Sequence, residues 1–143
     1  MPNTHLTWEK NYEVGVPKID EQNKELFALV NRLYVVKDDN LKEEMRDILY
    51  KFRKYMLEHF EEEEEYMRRV GFPDLLNHVE QHKNIVENIS NIMKHSPNMR
   101  ILKIKLQIMT KKVVIGHIKN EDIKIKHFCT PNNDKITEEI FDI

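Results

Sequence analysis

Apolar residues recur every three or four positions through most of the chain, the spacing of one buried helical face. A first stripe runs Ile19, Asn23, Leu26, Phe27, Val30, Leu33, Tyr34, and predicts a helix over about 18–38. A second, predicted to start after the break Asp38-Asp39-Asn40, carries Leu41, Met45, Ile48, Leu49, Phe52, Met56, His59 and Glu63 and fades near Val70. The turn VGFPD follows, with Gly71 suited to a left-handed helix end and Pro73 unable to continue a helix. A third stripe holds Leu75, His78, His82, Ile85, Ile89 and Ile92; Ser96 is the expected cap of the next helix, with Pro97 at its first position. The fourth, to about 126, aligns Leu102, Leu106, Met109, Val113 and His117 before TPNN ends it. Four long helices with short connections predict an all-α, up-down-up-down four-helix bundle. An N-terminal arm (1–17) would precede the bundle (about 18–127), and a short tail (128–143) would follow, in one domain.

Composition agrees. Three glycines, five prolines and 34% charged residues in 143 favour long helices over a turn-rich β fold. The net charge of −2, with no basic face, argues against nucleic acid or an anionic membrane as partner. A single cysteine, Cys129, excludes an internal disulfide framework and a CxxC metal site. No stretch is apolar enough to span a bilayer and the N-terminus has no signal-like apolar run, so the expectation is a cytoplasmic protein. The sequence is silent on oligomers, and a core of this size is compatible with a monomer.

The inner stripes are interrupted by a small polar set: Asn23, His59, Glu63, His78, His82 and His117. His59 and Glu63, and His78 and His82, are spaced i, i+4, about 40° apart around a helix, so each pair points one way. Four imidazoles and a carboxylate converging from three helices would be costly to bury without a cation. Imidazole with carboxylate and no thiolate suits iron, zinc or manganese. There are more ligands than a closed tetrahedral zinc site needs, which favours two ions bridged by carboxylates. The Glu-x-x-His motif of ferritin-type bundles is absent from the inner faces. The run Glu61–Glu65 reads as a solvated face, with only Glu63 phased inward.

In the fourth helix, Glu121 repeats the i, i+4 spacing from His117, whereas Asp122 at i+5 would lie about 140° away in a regular helix. Yet the apolar row is continued by Ile118, Asp122 and Ile125 rather than by Asn120 and Lys124. A slip of one residue is what a π-bulge produces. A bulge between His117 and Asp122 would turn both inward.

The motifs W-x3-Y-x-VG-x3-ID-x-Q (Trp8 to Gln22), HF-x2-EE-x2-M-x3-GFP (His59 to Pro73), H-x3-H (His78, His82) and HI-x3-D (His117 to Asp122) resemble the hemerythrin family in order and spacing. The resemblance covers roughly residues 8–125 and implies a four-helix bundle that holds two non-haem iron ions, bridged by a Glu, an Asp and an oxo or hydroxo group, and binds molecular oxygen reversibly. By resemblance His78, His82 and His117 would hold one iron, Glu63 and Asp122 would bridge, and His59 would bind the second. The family pattern has histidine after the Gln of ID-x-Q; here that residue is Asn23, a poorer donor to ferrous iron. The second iron would then be weakly held, absent, or ligated through the Asn23 carbonyl. The family's Trp-Leu before the fourth-helix histidine is Val113-Val114 here, so an oxygen pocket of Leu26, Phe60, Val113, Val114 and Ile118 would be apolar but roomier. Three functions follow as expectations: oxygen binding or sensing; peroxide or nitric oxide reduction at an open iron position; and a one-metal structural or signalling bundle. No inner-face residue is placed as a general acid or base unless Glu121 or Tyr66 serves.

Overall fold

A computed structural model describes residues 6–129. They form four helices: α1 (Pro17–Val35), α2 (Leu41–Val70), α3 (Leu75–Lys94) and α4 (99–129). The connections are short, so successive helices pack as antiparallel neighbours. The predicted tail beyond Cys129 and the arm before Leu6 lie outside the described residues.

Helix ends follow local chemistry. Pro17 sits in the first turn of α1, where its missing N–H costs nothing. α1 stops at Val35, three residues before the expected end, because Val36 and Lys37 are extended and Asp38–Asn40 forms a single 3-10 turn. Gly71 ends α2 at φ 71°, a left-handed conformation that favours glycine. The expected cap of α4 is corrected: Asn98 Oδ1, not Ser96, accepts from Ile101 N at 2.9 Å. Ser96 Oγ instead donates back to Ile92 O at 2.5 Å at the end of α3.

α4 is continuous but irregular. Met99–Met109 is α-helical, Thr110–Val114 and Ile118–Asp122 are π-helical, and Ile123–Cys129 is α-helical again. The second π segment is the slip inferred from the apolar phase. The first was not anticipated, and it carries a correction: it rotates Val114 into the core while Val113, aligned with the inner row in the sequence, is only partly buried.

The arm is pinned to α1. Leu6 pairs with Asn31 through both its N–H (2.6 Å) and its carbonyl (2.8 Å). Trp8 packs edge-on against Phe27 with centroids 5.0 Å apart. Asp20 accepts from Val14 N (2.6 Å) and Gly15 N (3.1 Å), where Gly15 turns with φ 98°. At the other end, Arg32 forks between Glu44 and Asp47 and holds the α1–α2 hairpin. Tyr34 Oη donates to Gln107 O at 2.7 Å, and Gln107 Nε2 donates to Leu33 O at 3.1 Å, fastening α1 to α4.

Two apolar clusters fill the bundle. The larger runs from Leu26, Phe60, Ile85 and Ile118 towards the α1–α2 hairpin. The smaller joins Val14, Ile19, Met67, Phe72 and Ile125. Every helix passes from one to the other through the same polar layer: Asn23 in α1, His59 and Glu63 in α2, His78 and His82 in α3, His117 and Asp122 in α4. That layer gathers most of the buried polar side chains among the described residues.

Candidate metal centre

All seven residues of the layer are buried; His117 is the most open at 7% exposure. Glu63, His78, His82, His117 and Asp122 each bring one ligand atom within 4.8 Å of the others. The Nε2 atoms of three imidazoles meet: His117 lies 3.0 Å from His78 and 3.1 Å from His82. Neutral imidazoles that close turn lone pairs on one another unless a proton or a metal ion stands between them.

The two carboxylates divide their oxygens between two half-sites. Glu63 Oε1 faces His78 Nε2 (2.6 Å) and His82 Nε2 (3.1 Å), whereas Oε2 faces His59 Nε2 (3.2 Å). Asp122 Oδ1 faces His117 Nε2 (3.0 Å) and His78 Nε2 (3.2 Å), and Oδ2 faces His59 Nε2 at 3.7 Å. One half-site has three imidazoles; the other has His59 and the Asn23 amide, which faces the same Asp122 oxygen. The Asn23 amide points Nδ2 at Asp122 Oδ2, 3.4 Å away.

Buried polar atoms in this layer lack hydrogen-bond partners: His59 Nε2, Glu63 Oε2, Asp122 Oδ1 and Asn23 Oδ1. The first three lie close to opposite charge but not in hydrogen-bonding geometry, as lone pairs aimed at a shared centre would be. An unsatisfied buried group costs roughly 1–3 kcal/mol, so four of them threaten a deficit comparable with the ~5–15 kcal/mol that holds a domain folded. A cation between the half-sites removes that deficit, and the donor set of imidazoles and carboxylates is suited to one.

Electrostatics agree. Burial works against charge on His59 and His117, but Glu63 and Asp122 outweigh it and hold both at about 10. His78 is raised to about 9 by the same acids against the same burial. Burial pushes the Glu63 carboxyl up, yet the surrounding histidines, His59 foremost, pull it well below its ordinary value. Asp122, pushed up by burial and by Glu63, is drawn down to about 2 by His117 and His59. In the metal-free chain protons occupy the places that a cation would take.

A second tier orients the ligands. His59 Nδ1 lies 3.2 Å from Gln22 Oε1. His82 Nδ1 donates to Glu64 Oε2 at 2.8 Å, and the Phe60 ring stacks on the other side of His82, centroids 3.8 Å apart and planes 6° apart. Such outer partners fix the tautomer and ring orientation of a ligating histidine. Glu64 corrects the reading of Glu61–Glu65, in which Glu63 alone turned inward. The missed signal was spacing: Glu64 is i+4 from Phe60, so both reach the same ring on α3.

The remaining candidates separate cleanly. Glu121 turns outward to Lys124 Nζ (2.9 Å), leaving Asp122 as the inward acid of α4. Leu26, Phe60, Val114 and Ile118 join one buried cluster. Val113 instead lines a surface hollow beside His117 with Gln81, Gly116 and Glu121.

The model of the hemerythrin HHE cation binding domain matches residues 14–127. A bacteriohemerythrin of Clostridium acetobutylicum is 27% identical over 90 residues, 60% of this chain and 70% of the relative. A bacteriohemerythrin of Campylobacter jejuni (strain 81-176) is 27% identical over 82% of this chain and 90% of its own length. A myohemerythrin of Theromyzon tessulatum is 29% identical over 83% and 89%. No solved structure gives a significant match. With the helical bundle, the buried His/Glu/Asp layer and a family match across most of its length, the chain belongs to the hemerythrin family.

Proposed function

We propose that the bundle binds molecular oxygen, or a small anion in its place, at a carboxylate-bridged pair of non-haem irons whose two positions are unequal. The observation that carries this reading is the division of Glu63 and Asp122 oxygens between a three-imidazole side and a one-imidazole side. When bound, ferrous iron supplies the electrons that oxygen binding requires. His78, His82 and His117 would hold the tighter ion, and His59 the weaker one. Leu26, Phe60, Val114 and Ile118 keep the neighbouring space apolar, which excludes bulk water and favours a nonpolar diatomic ligand.

Asn23 sets the inequality. With Nδ2 towards Asp122 it offers a donor, not a lone pair. Turned about its last torsion, it would aim Oδ1 at a carboxylate, a repulsive arrangement unless a cation lies between them. A second ion would therefore be held more weakly than the first, by His59 and the shared carboxylates. Iron per chain, followed by anaerobic reduction and admission of air, tests the reading. Bridged di-iron charge-transfer absorption that appears with air and reverses on deoxygenation supports it; iron-loaded protein that is spectrally indifferent to air excludes oxygen binding.

The single imidazole of the His59 half-site also favours a second reading, reduction of peroxide by a supplied reductant. Turnover that disappears in His78→Ala supports it, and a rate equal to that of free iron removes it.

A further inference from the structure

Beyond the metal layer the bundle core is incompletely filled. A cavity of about 390 Å³ opens between α2 and α3 and reaches the bundle axis. Its floor includes Leu33 of α1, Phe52 and Met56 of α2, Ile89 of α3 and Leu106 of α4, each at most 8% exposed. Packed interiors tolerate few voids larger than a water molecule, whereas small-molecule sites span ~300–1,000 Å³. The cavity belongs with the second group. The Thr110 hydroxyl on its wall is already spent on Leu106 O at 2.6 Å.

Two polar side chains of the lining remain uncommitted. Arg53 has no ion pair or hydrogen bond among the described residues, although Arg32, Arg68 and Arg100 each engage an acid. The Ser90 hydroxyl likewise has no partner among them. An apolar interior with a free guanidinium on the exposed rim, at Arg53, and a free hydroxyl complements an apolar chain that ends in one anionic group. Leu57 and Met93, also in the lining, are 43% and 47% exposed, so a chain has an apolar entrance.

We infer that this cavity is a binding site for a small amphipathic carboxylate, its chain among Phe52, Met56 and Ile89 and its carboxylate on Arg53. The site is distinct from the metal layer. Val86 on its wall stands one turn from His82, about 6 Å along the helix. It does not depend on which ligand the iron centre takes.

Titration calorimetry of the metal-loaded full chain with decanoate, and separately with decanol, tests the assignment. Decanoate is expected to saturate at one molecule per chain, to raise the melting temperature, and to bind more tightly than decanol. Arg53→Gln, a surface change that leaves the core intact, should weaken decanoate about three- to tenfold and leave decanol unaltered. Ser90→Trp, or Met93→Trp if the first disturbs folding by circular dichroism, should block both ligands. Non-saturating decanoate, equal affinity for the two ligands, or decanoate binding unchanged by Arg53→Gln would overturn the proposal. So would a dimer that decanoate fails to dissociate, because a second copy would then cover the entrance.

Discussion

Asn23 and Asp122, 99 residues apart in the chain, meet across the bundle axis through a long 3.4 Å contact from amide nitrogen to carboxylate oxygen. Asp122 Oδ2 is also the Asp122 oxygen that faces His59, 3.7 Å from its Nε2. On the proposed reading, the amide would compete with a second metal ion for this carboxylate. Asn23→His exchanges this donor for an imidazole lone pair and is expected to raise iron towards two per chain. Asn23→Ala, which removes the competing donor without supplying a ligand, should raise it less. Iron analysis of the three proteins loaded side by side checks the order; equal iron in all three would mean that something other than Asn23 limits the second position.

Glu64 contacts the three-imidazole half-site from outside. It holds the His82 Nδ1–H at 2.8 Å while Phe60 stacks against the ring. Loss of such an outer carboxylate typically weakens metal affinity ~10–100-fold. Glu64→Gln is therefore expected to release metal to a competing chelator at correspondingly lower chelator concentration, with helix content unchanged. Glu65→Gln, next in the chain and 63% exposed at its side chain, is the matched control. Equal release from both variants would show that the Glu64 contact does not orient His82.

Metal-free protein should have a bounded pH window. His59 and His117 at about 10 and His78 at about 9 hold protons that the unfolded chain, near 6.5, has already lost. Their contribution is fully present below 6.5 and declines as pH rises through about 9 to 10. Asp122, at about 2 against an ordinary 3.8, contributes above 3.8 and loses that contribution as pH falls through about 2. Metal-free stability is thus greatest between these limits. A bound cation replaces the imidazole protons, so loading strengthens with pH and abolishes the alkaline decline. Denaturant midpoints of both forms across the range check this; parallel profiles would contradict it.

The sequence made the bundle legible because its face is periodic and its punctuation chemical: Gly71 reads as a helix end, and Asp122 shows by its apolar companions Ile118 and Ile125 that the helix has slipped. What stayed hidden had no periodic contrast. The first π segment spans Thr110 to Val114, where either register puts a β-branched residue inside. Glu64 sat within five acids, and only its relation to Phe60 on the same face, and through it to a ring on another helix, distinguished it. Ser96 and Asn98 are both good caps; Ser96 is spent on the last turn of α3 through Ile92 O, which leaves Asn98 to start α4. The polar layer was readable because its cost is: a histidine stripe in an apolar face needs a reason, and a carboxylate beside it supplies one.

The irregularity of α4 yields a prediction of the opposite kind, a deletion that is tolerated. A π segment is in effect one extra residue in an α-helix, and it costs some helix stability. Ile118–Asp122 uses that residue to carry Asp122 round to the face of His117. Removing exposed Asn120 would leave Asp122 four positions from His117, about 40° round a regular helix, and would keep Ile125 in the small apolar cluster. The shortened chain is expected to fold, with a melting temperature equal to or above the parent's, and to retain metal on the three-imidazole side. Removing exposed Lys105, which lies in the regular part of α4, gives no such compensation. It turns every residue between it and the next slack point by about 100°, taking Leu106 and Met109 out of the core. Thermal melts and metal content of the two deletions, made in parallel, decide the matter: if Asn120 proves as costly to delete as Lys105, the π turn contributes something to the site that an α-helical turn cannot reproduce.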